Sequence, residues 1–422
     1  MPIKTIIIGA GVVGAATALA LQKDGHIVTL IDREAPCSGA SFGNAGVIVN
    51  GSCVPTAMPG VLFDAIRMVT RANSPLSVQP AYLHKILPWF LRFLMQSRVS
   101  SANKNAKSLY ALSRHAVTSW QQLTERTELS SLFRSTGWLK VYESEETFAG
   151  TKKSRTLLDQ MGTKYDLLTA KQIHDLEPNL APIFKHGFYQ KDSLSVTNPE
   201  RLVKEMVELF VKRGGIYKQF TVNQINIQEN GIQLKEQNEE LVADKIVIAA
   251  GAWSRSLAKQ LGDNVPLDTE RGYHLMLAES THSLLSRPVV NGENSFVLSP
   301  METGLRMTAQ VEFAGLDIAP DYNKIRSLLP HAKRMLPGIN IKEESTWMGF
   351  RPSLPDSLPV LGFSSKSNNV LYAFGHQHLG MTLAAISGQI IADLIANREP
   401  AITTSPYRPN RFNFYANDVS KN

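Results

Sequence analysis

The chain has 422 residues, 43% of them hydrophobic and 19% charged, enough apolar material for two domains with separate cores and too much for a disordered chain. Its two cysteines, Cys37 and Cys53, stand in no CxxC arrangement, which excludes a disulfide framework and a cysteine zinc site; no metal site is expected. The formal charge of +7 calls for an acidic partner without choosing between membrane, nucleic acid and anionic substrate.

Thr5 to Ile8 is a β-branched apolar strand that turns at once into Gly9-Ala-Gly-Val-Val-Gly14 and then into a helix, Ala15 to Lys23. In that order the three glycines have separate uses. Gly9 permits the tight turn, Gly11 lets a pyrophosphate approach the backbone, and Gly14 lets the helix pack on the strand, with the helix N-terminus facing the phosphate charge. Gly25 ends the helix, a second strand runs from His26 to Ile31, and Asp32 follows as the acid that accepts ribose hydroxyls and repels a 2′-phosphate. The apolar run from Ile6 to Leu21 is not a secretion signal, because cleavage would delete these glycines.

Beyond Asp32 the chain continues as Ser38-Gly-Ala-Ser-Phe-Gly-Asn-Ala-Gly46, small residues suited to a backbone that threads close to a large planar group. The nucleotide fold resumes only at the strand Lys245 to Ala250, followed by Gly251-Ala-Trp-Ser254. A nucleotide fold split in this way holds extended FAD rather than a dissociable NAD.

From Ala65 through Thr124 there is no Asp or Glu, while Arg67, Arg71, Lys85, Arg92, Arg98, Lys104, Lys107 and Arg114 all fall there. The apolar residues of the same stretch, with Trp89, Phe90 and Phe93 inserting, point to an anionic membrane surface; a solvated helix face over a packed one is the alternative. No nucleic-acid signature accompanies the charge. The best spanning candidate, Ile86 to Met95, is broken by Pro88 and Arg92, so the chain is expected to be cytoplasmic and peripheral on the inner face of the plasma membrane. Leu109, Leu112, Val117, Trp120 and Leu123 predict an amphipathic helix over 100–128.

These segments, together with Ile31-Asp-Arg33, Arg271-Gly-Tyr273, Trp347-Met-Gly-Phe-Arg-Pro352, Pro355-Asp-Ser-Leu-Pro359 and Gly375-His-Gln-His-Leu-Gly-Met-Thr382, resemble the FAD-dependent D-amino-acid oxidase superfamily, and within it the bacterial D-amino-acid dehydrogenases. The resemblance runs over nearly the whole chain. It implies an α/β chain with a discontinuous Rossmann-like FAD-binding domain (1–80, 195–262 and 345–422) and an α+β substrate domain with an antiparallel sheet (81–194 and 263–344). Strands of that sheet are expected at Gly137 to Tyr142, Gly187 to Tyr189, Tyr273 to Leu277 and Ser295 to Ser299.

The resemblance also implies roles. Arg351 pairs with the substrate carboxylate through two parallel charge-assisted bonds, with a structural ion pair beside Pro352 as the alternative. Tyr273 supplies a hydroxyl or ring to the substrate pocket, with a buried core tyrosine as the alternative, and His378 touches substrate, with a structural histidine of a glycine-rich loop as the alternative. His274 falls on the other face of a regular strand. Gly9, Gly11, Val13, Gly14, Asp32 and Arg33 hold the nucleotide half of FAD, and Ser41, Asn44, Ala45 and Gly46 line its path. Val222, in a strand Phe220 to Ile227, meets the adenine; Gly251 and Trp253 complete the nucleotide side. Gly375, His376, Leu379, Gly380, Met381 and Thr382 face the flavin pyrimidine ring, where backbone N–H groups and a helix dipole stabilise charge.

The C-terminal third has no cysteine, so FAD is expected to be noncovalent. The implied reaction is hydride transfer from Cα of a D-amino or cyclic D-imino acid to flavin N5, then hydrolysis of the imino acid to the 2-oxo acid. The segments around Arg271 and Arg351 look closer to D-hydroxyproline-type dehydrogenases than to D-alanine ones. The acid-free stretch favours a membrane quinone or respiratory-chain acceptor over oxygen. A glycine- or sarcosine-type oxidase and a non-catalytic FAD-holding subunit share most of these motifs.

Overall fold

The computed structural model describes residues 1–61, 75–229 and 231–412. The chain divides into two compact units, each discontinuous in sequence: Met1–Ser41, Val203–Asp268 and Arg351–Asn422 make the first, Phe42–Leu202 and Thr269–Phe350 the second. Residues 42–80, placed with the nucleotide domain on sequence grounds, differ from that expectation. Val47–Ile48 pairs with Leu194–Val196, and Leu76–Val78 with Gly304–Phe313, so the described part of this segment belongs to the second unit.

The first unit is built on a six-stranded sheet ordered Ile216–Gln219, Ile27–Asp32, Lys4–Ile8, Lys245–Ile248, Val370–Phe374 and Val360–Phe363. The first five strands are parallel and the last is antiparallel. Parallel strands covered on both faces read as continuous apolar runs, and Ile6, Ile7, Ile8, Ile246, Val247 and Ile248 are all buried. Helices Val12–Lys23 and Gly380–Ile395 pack together, and a Cβ on Gly388 would lie 2.9 Å from the backbone of Ala16. By length and composition Gln377–Ile395 is apolar enough to cross a bilayer, more so than Ile86–Met95, but most of it is buried and it is a core helix of this unit. The strand predicted over Phe220 to Ile227 begins only at Gln224, because Phe220 N–H donates to the carbonyl of Asp32 and Asn223 N–H to that of Lys235. Val222 therefore sits in the connection, packed against the cluster of Ile6, Ile31 and Phe220.

The second unit carries a nine-stranded sheet, its path Glu343–Ser353, Asp268–Leu277, Gly304–Phe313, Phe296–Met301, Val289–Asn291, Trp138–Tyr142, His186–Gln190 and Asp166–Thr169, with Leu76–Val78 added beside Gly304–Phe313. It is mainly antiparallel; Val289–Asn291 with Trp138–Tyr142, and Leu76–Val78 with Gly304–Phe313, are parallel. One face is the core: Leu139, Tyr273, Leu275, Leu277, Phe296, Leu298, Leu305 and Met307 close on Ile325, Ala332 and Met335 from short helices. The period of two places His274, Met276, Arg306, Thr308, Val297 and Ser299 on the opposite face.

The helix expected over 100–128 is two helices, Val99–Ser113 and Ala116–Thr124, separated at Arg114 and His115. Leu109, Leu112 and Trp120 are buried as the spacing requires. A further helix, Leu83–Gln96, precedes them. Its aromatic residues do not point outward as expected: Trp89 is buried, stacked on Phe93 at 5.2 Å and tilted against Phe313 at 5.3 Å, with Phe90 5.1 Å from Phe313. Packing against the sheet recovers more apolar burial for these large rings than solvent exposure would. Arg67 and Arg71 lie outside the described residues.

Candidate cofactor cradle and substrate face

In the first unit the strand Lys4–Ile8 ends at Gly9, whose φ of +115° and a would-be Cβ 2.4 Å from the Ala249 carbonyl oxygen admit only glycine. A Cβ on Gly14 would meet the Gly9 oxygen at 1.8 Å, so the helix lies directly on the turn. Gly11 faces more open space, the Ser41 hydroxyl alone standing 3.2 Å from its would-be Cβ. Ser41 Oγ accepts from Val12 N–H at 3.0 Å. Val13 and Gly14 follow in the first turn, where N–H groups have no intrahelical acceptor, and that turn carries no acidic side chain. A helix start of this kind can accept a phosphate group.

Asp32, at the end of the second strand, accepts from Ala10 N–H at 2.7 Å and from Glu34 N–H at 3.1 Å. Burial pushes its carboxyl pKa up, opposed by backbone hydrogen bonds from Ala10, Glu34 and Arg33 and by the Arg33 charge. The carboxylate retains acceptor capacity for a ribose hydroxyl. The Arg33 guanidinium lies over the Trp253 ring, 3.8 Å from its centroid, joining two segments far apart in sequence. Beside it Gly251 has φ +53° and nothing within 4 Å of its would-be Cβ. The glycine spacing, the open helix start and the placed carboxylate fit the adenosine diphosphate half of FAD.

At the other end of this unit, Gly375 has φ +82° with Leu354 Cδ1 2.4 Å from its would-be Cβ. A 3-10 turn over Gln377–Leu379 leads into Gly380–Ile395. The His376 ring is buried, within hydrogen-bond distance of Ser387 Oγ at 2.9 Å, and burial pushes its pKa down to about 3. Its ring is thus a neutral packing element, leaving the backbone of this turn as what it can offer a ligand. Leu379, Met381 and Thr382 are buried, Gly380 is half-buried, and His378 is exposed.

In the second unit Phe42, Gly43, Asn44, Ala45 and Gly46 form a loop fixed from both sides. Gly46 N–H donates to Asn44 Oδ1 at 2.8 Å, and a Cβ on Gly46 would strike the Val196 carbonyl oxygen at 2.3 Å. Ala45 is half-buried. Arg306, buried on the non-core face of the large sheet, donates through Nη1 to the carbonyls of Phe42 at 2.9 Å and Asn44 at 2.7 Å. The Trp347 ring lies where a Cβ on Gly43 or Gly349 would be, 1.9 Å from either. Two glycines make room for one indole.

Tyr273 is not on that face. Its hydroxyl donates to Glu312 Oε2 at 2.5 Å inside the core, where Glu312 also binds Lys324 and accepts from Gln79 at 2.9 Å. Burial and the Glu312 carboxylate hold the Tyr273 pKa well above its usual value. His274, the next residue, takes the opposite face by strand alternation. It is 1% exposed, stacked on Trp347 at 5.3 Å and tilted against Phe42 at 5.8 Å. Burial, then the Arg306 charge, push its pKa down to about 3, against a hydrogen bond with the Gly43 backbone. The imidazole is neutral, and its Nδ1 is buried without a protein partner, as are Ser299 Oγ and Thr308 Oγ1 on the same face. Buried polar atoms are rarely left so, and three together mark a surface that takes a polar ligand or ordered water.

Within the strand Glu343–Ser353, Met348 packs against the core while Trp347, Gly349 and Arg351 share the other side; Arg351 is half-buried. His274, Ser299, Arg306 and Thr308 were not selected from sequence as site residues. Their signal was the polar alternate in Leu305-Arg-Met-Thr-Ala309, where apolar neighbours fix the inward face. Among the described residues no three His, Cys, Asp or Glu side chains gather as metal ligands.

The family model for DAO, FAD dependent oxidoreductase, matches residues 4–394. The chain is 31% identical over 417 residues to a D-amino-acid oxidase of Bradyrhizobium diazoefficiens, covering 96% of this chain and 98% of that protein. It is 29% identical over 410 residues to a D-amino acid dehydrogenase of Vibrio vulnificus, covering 94% and 96%. Among solved structures, a glycine oxidase of Geobacillus kaustophilus is similar with a TM-score of 0.73 at 22% identity, covering 97% and 99%.

Proposed function

We propose that this chain, which belongs to the DAO family of FAD dependent oxidoreductases, oxidises D-amino acids, cyclic D-imino acids included, at Cα and passes the electrons to a membrane quinone. The relatives named above support the D-amino-acid substrate. The observation that carries the reading is the buried non-core sheet face, whose imidazole and two hydroxyls suit a small polar ligand in a water-poor setting.

FAD, when bound, supplies a two-electron acceptor for the hydride that leaves Cα. The chain binds and orients. Arg351 takes the substrate carboxylate through two parallel N–H bonds and fixes the direction of Cα–H. His274, neutral, offers an unprotonated nitrogen that accepts from a substrate N–H without adding a like charge beside the amine. The deprotonated amine becomes an imine as the C–H electron pair departs. Water then hydrolyses the imine to the 2-oxo acid, releasing ammonia from a primary amine; a cyclic substrate gives the cyclic imine. With cysteines only at positions 37 and 53, FAD is held noncovalently.

Anaerobic addition of a panel of D- and L-amino acids, cis-4-hydroxy-D-proline among them, should bleach the flavin with D-substrates only. Bleaching by glycine or sarcosine with stoichiometric peroxide in air would replace this reading with an amine oxidase. A relative named as an oxidase makes oxygen the competing acceptor, and peroxide yield against quinone reduction decides between them. A flavin that no amino acid bleaches would leave a structural FAD-holding subunit.

A further inference from the structure

The helix Leu83–Gln96 has two apolar sides and one use for only one of them. Ile86 and Trp89, with Phe90 and Phe93, pack on Phe313. On the other side Leu83, Leu87, Leu91 and Met95 follow at intervals of four residues and are 53%, 52%, 55% and 36% exposed. Residues four apart stack on one helix face, so these side chains form a continuous stripe roughly 18 Å long at about 1.5 Å per residue. Val99, at the start of the next helix, is 62% exposed and continues the spacing. Scattered exposed leucines need no explanation, but an uninterrupted aliphatic row does.

We propose that this stripe is a membrane-insertion face, with the helix lying in the headgroup region of an anionic bilayer. Charge complementarity selects that occupant. Along residues 75–124 there is no acidic side chain, while Lys85, Arg92, Arg98, Lys104, Lys107 and Arg114 are present. Lys85, Arg98, Lys104 and Lys107 are exposed. Long aliphatic side chains beside flexible cations, with no acid to repel phosphate, match a lipid surface: the chains enter the acyl boundary and the cations meet the headgroups. The buried Trp89 and the half-buried Phe93 have a different part, anchoring the helix to the sheet so that the stripe is presented rather than collapsed inward. The face is defined independently of the catalytic reading.

The holoenzyme is mixed with sucrose-loaded vesicles of phosphatidylcholine alone or with phosphatidylglycerol, at low and high salt, and sedimented. Binding is expected to the anionic vesicles, weakened by salt as the Debye length falls from about 30 Å to about 10 Å between 0.01 and 0.1 M. The exposed double variant Leu87→Ser/Leu91→Ser should bind at least about tenfold more weakly, and Lys85→Glu/Arg98→Glu should lose its preference for anionic lipid. Both should keep dye-linked amino-acid turnover. Wild-type protein that ignores anionic vesicles at low salt overturns the proposal. So does a serine variant that binds as wild type, or a wild-type dimer in sedimentation velocity that the serine variant abolishes, which would assign the stripe to a second copy. Failure of amino acids to bleach the flavin would remove the catalytic reading and leave the vesicle result untouched.

Discussion

Tyr273 and His274 are adjacent in one strand and face opposite sides of the large sheet, the phenol closed in the core on Glu312 and the imidazole on the face with unpartnered polar atoms. The two should therefore fail differently. Tyr273→Phe removes a donor from a buried carboxylate that keeps Lys324 and Gln79, and should lower stability by about 1–3 kcal/mol while kcat/KM changes by less than about threefold. His274→Phe preserves the ring packing with Trp347 but removes both nitrogens, and should lower kcat/KM by about tenfold or more with a smaller effect on Tm. Thermal unfolding and steady-state kinetics of the two proteins decide it; the reverse pattern would restore Tyr273 as the substrate-side residue.

For the cofactor cradle, Gly11 is the informative position. Its would-be Cβ meets only the Ser41 hydroxyl at 3.2 Å, whereas Gly9 and Gly14 are closed by backbone atoms. Gly11→Val should therefore fold yet carry little FAD, because the branched side chain occupies the approach of the pyrophosphate. The ratio of flavin to protein absorbance measures this directly, with circular dichroism reporting the fold. A fully yellow Gly11→Val protein would show that the phosphates lie elsewhere.

The strand–glycine–helix start was legible because its local rules are strict: only glycine fits at Gly9 and Gly14, and the period of the chain changes there. The late return of the nucleotide fold at Lys245 was visible for the same reason, as a short apolar run ending in small residues. The substrate face was not. Tyr273 and His274 differ by one residue, and which of them faces the core depends on the register of Gly304–Phe313, set by contacts some thirty residues away. The aromatics of Leu83–Gln96 were likewise misplaced, since a helix apolar over most of its circumference does not reveal which part is packed. Arg306 was overlooked because its role depends on two carbonyls, of Phe42 and Asn44, distant in the chain.

The histidines set a pH dependence of folding. His274 and His376 both have pKa values pushed down to about 3 by burial from the usual 6.5. Between those values the unfolded chain binds protons that the folded chain refuses. Their contribution is thus present above pH 6.5 and lost as pH falls toward the folded value, with a slope of about 1.4 kcal/mol per pH unit for each. Denaturant unfolding between about pH 7 and pH 5, a window above most carboxylate titration, should show stability falling with acid. His376→Gln should make the slope measurably shallower. A wild-type profile that is level across this window contradicts the buried neutral state of both rings.

Arg306 and Arg351 pose the sharpest question, because either guanidinium has the chemistry to hold a carboxylate. Arg306 has already committed Nη1 to two loop carbonyls at 2.9 and 2.7 Å, so it is a loop-positioning residue; Arg351 sits on the strand side shared with Trp347 and Gly349. Arg351→Ala should therefore lose about 3–5 kcal/mol in apparent kcat/KM, the penalty of desolvating a substrate carboxylate without its charge-assisted pair. Arg351→Lys should recover only part of that, since an ammonium cannot reproduce the two parallel bonds. In both, the loss should be concentrated in KM, and a competitive carboxylate inhibitor should weaken in parallel while an uncharged amine does not. Arg306→Lys should behave otherwise: the Phe42–Gly46 loop loosens, FAD content and Tm fall, and the relative affinity for carboxylate and amine inhibitors stays as it was. If Arg351→Ala shows near-normal kinetics and Arg306→Lys abolishes carboxylate inhibition, the assignment of the substrate carboxylate passes from Arg351 to Arg306.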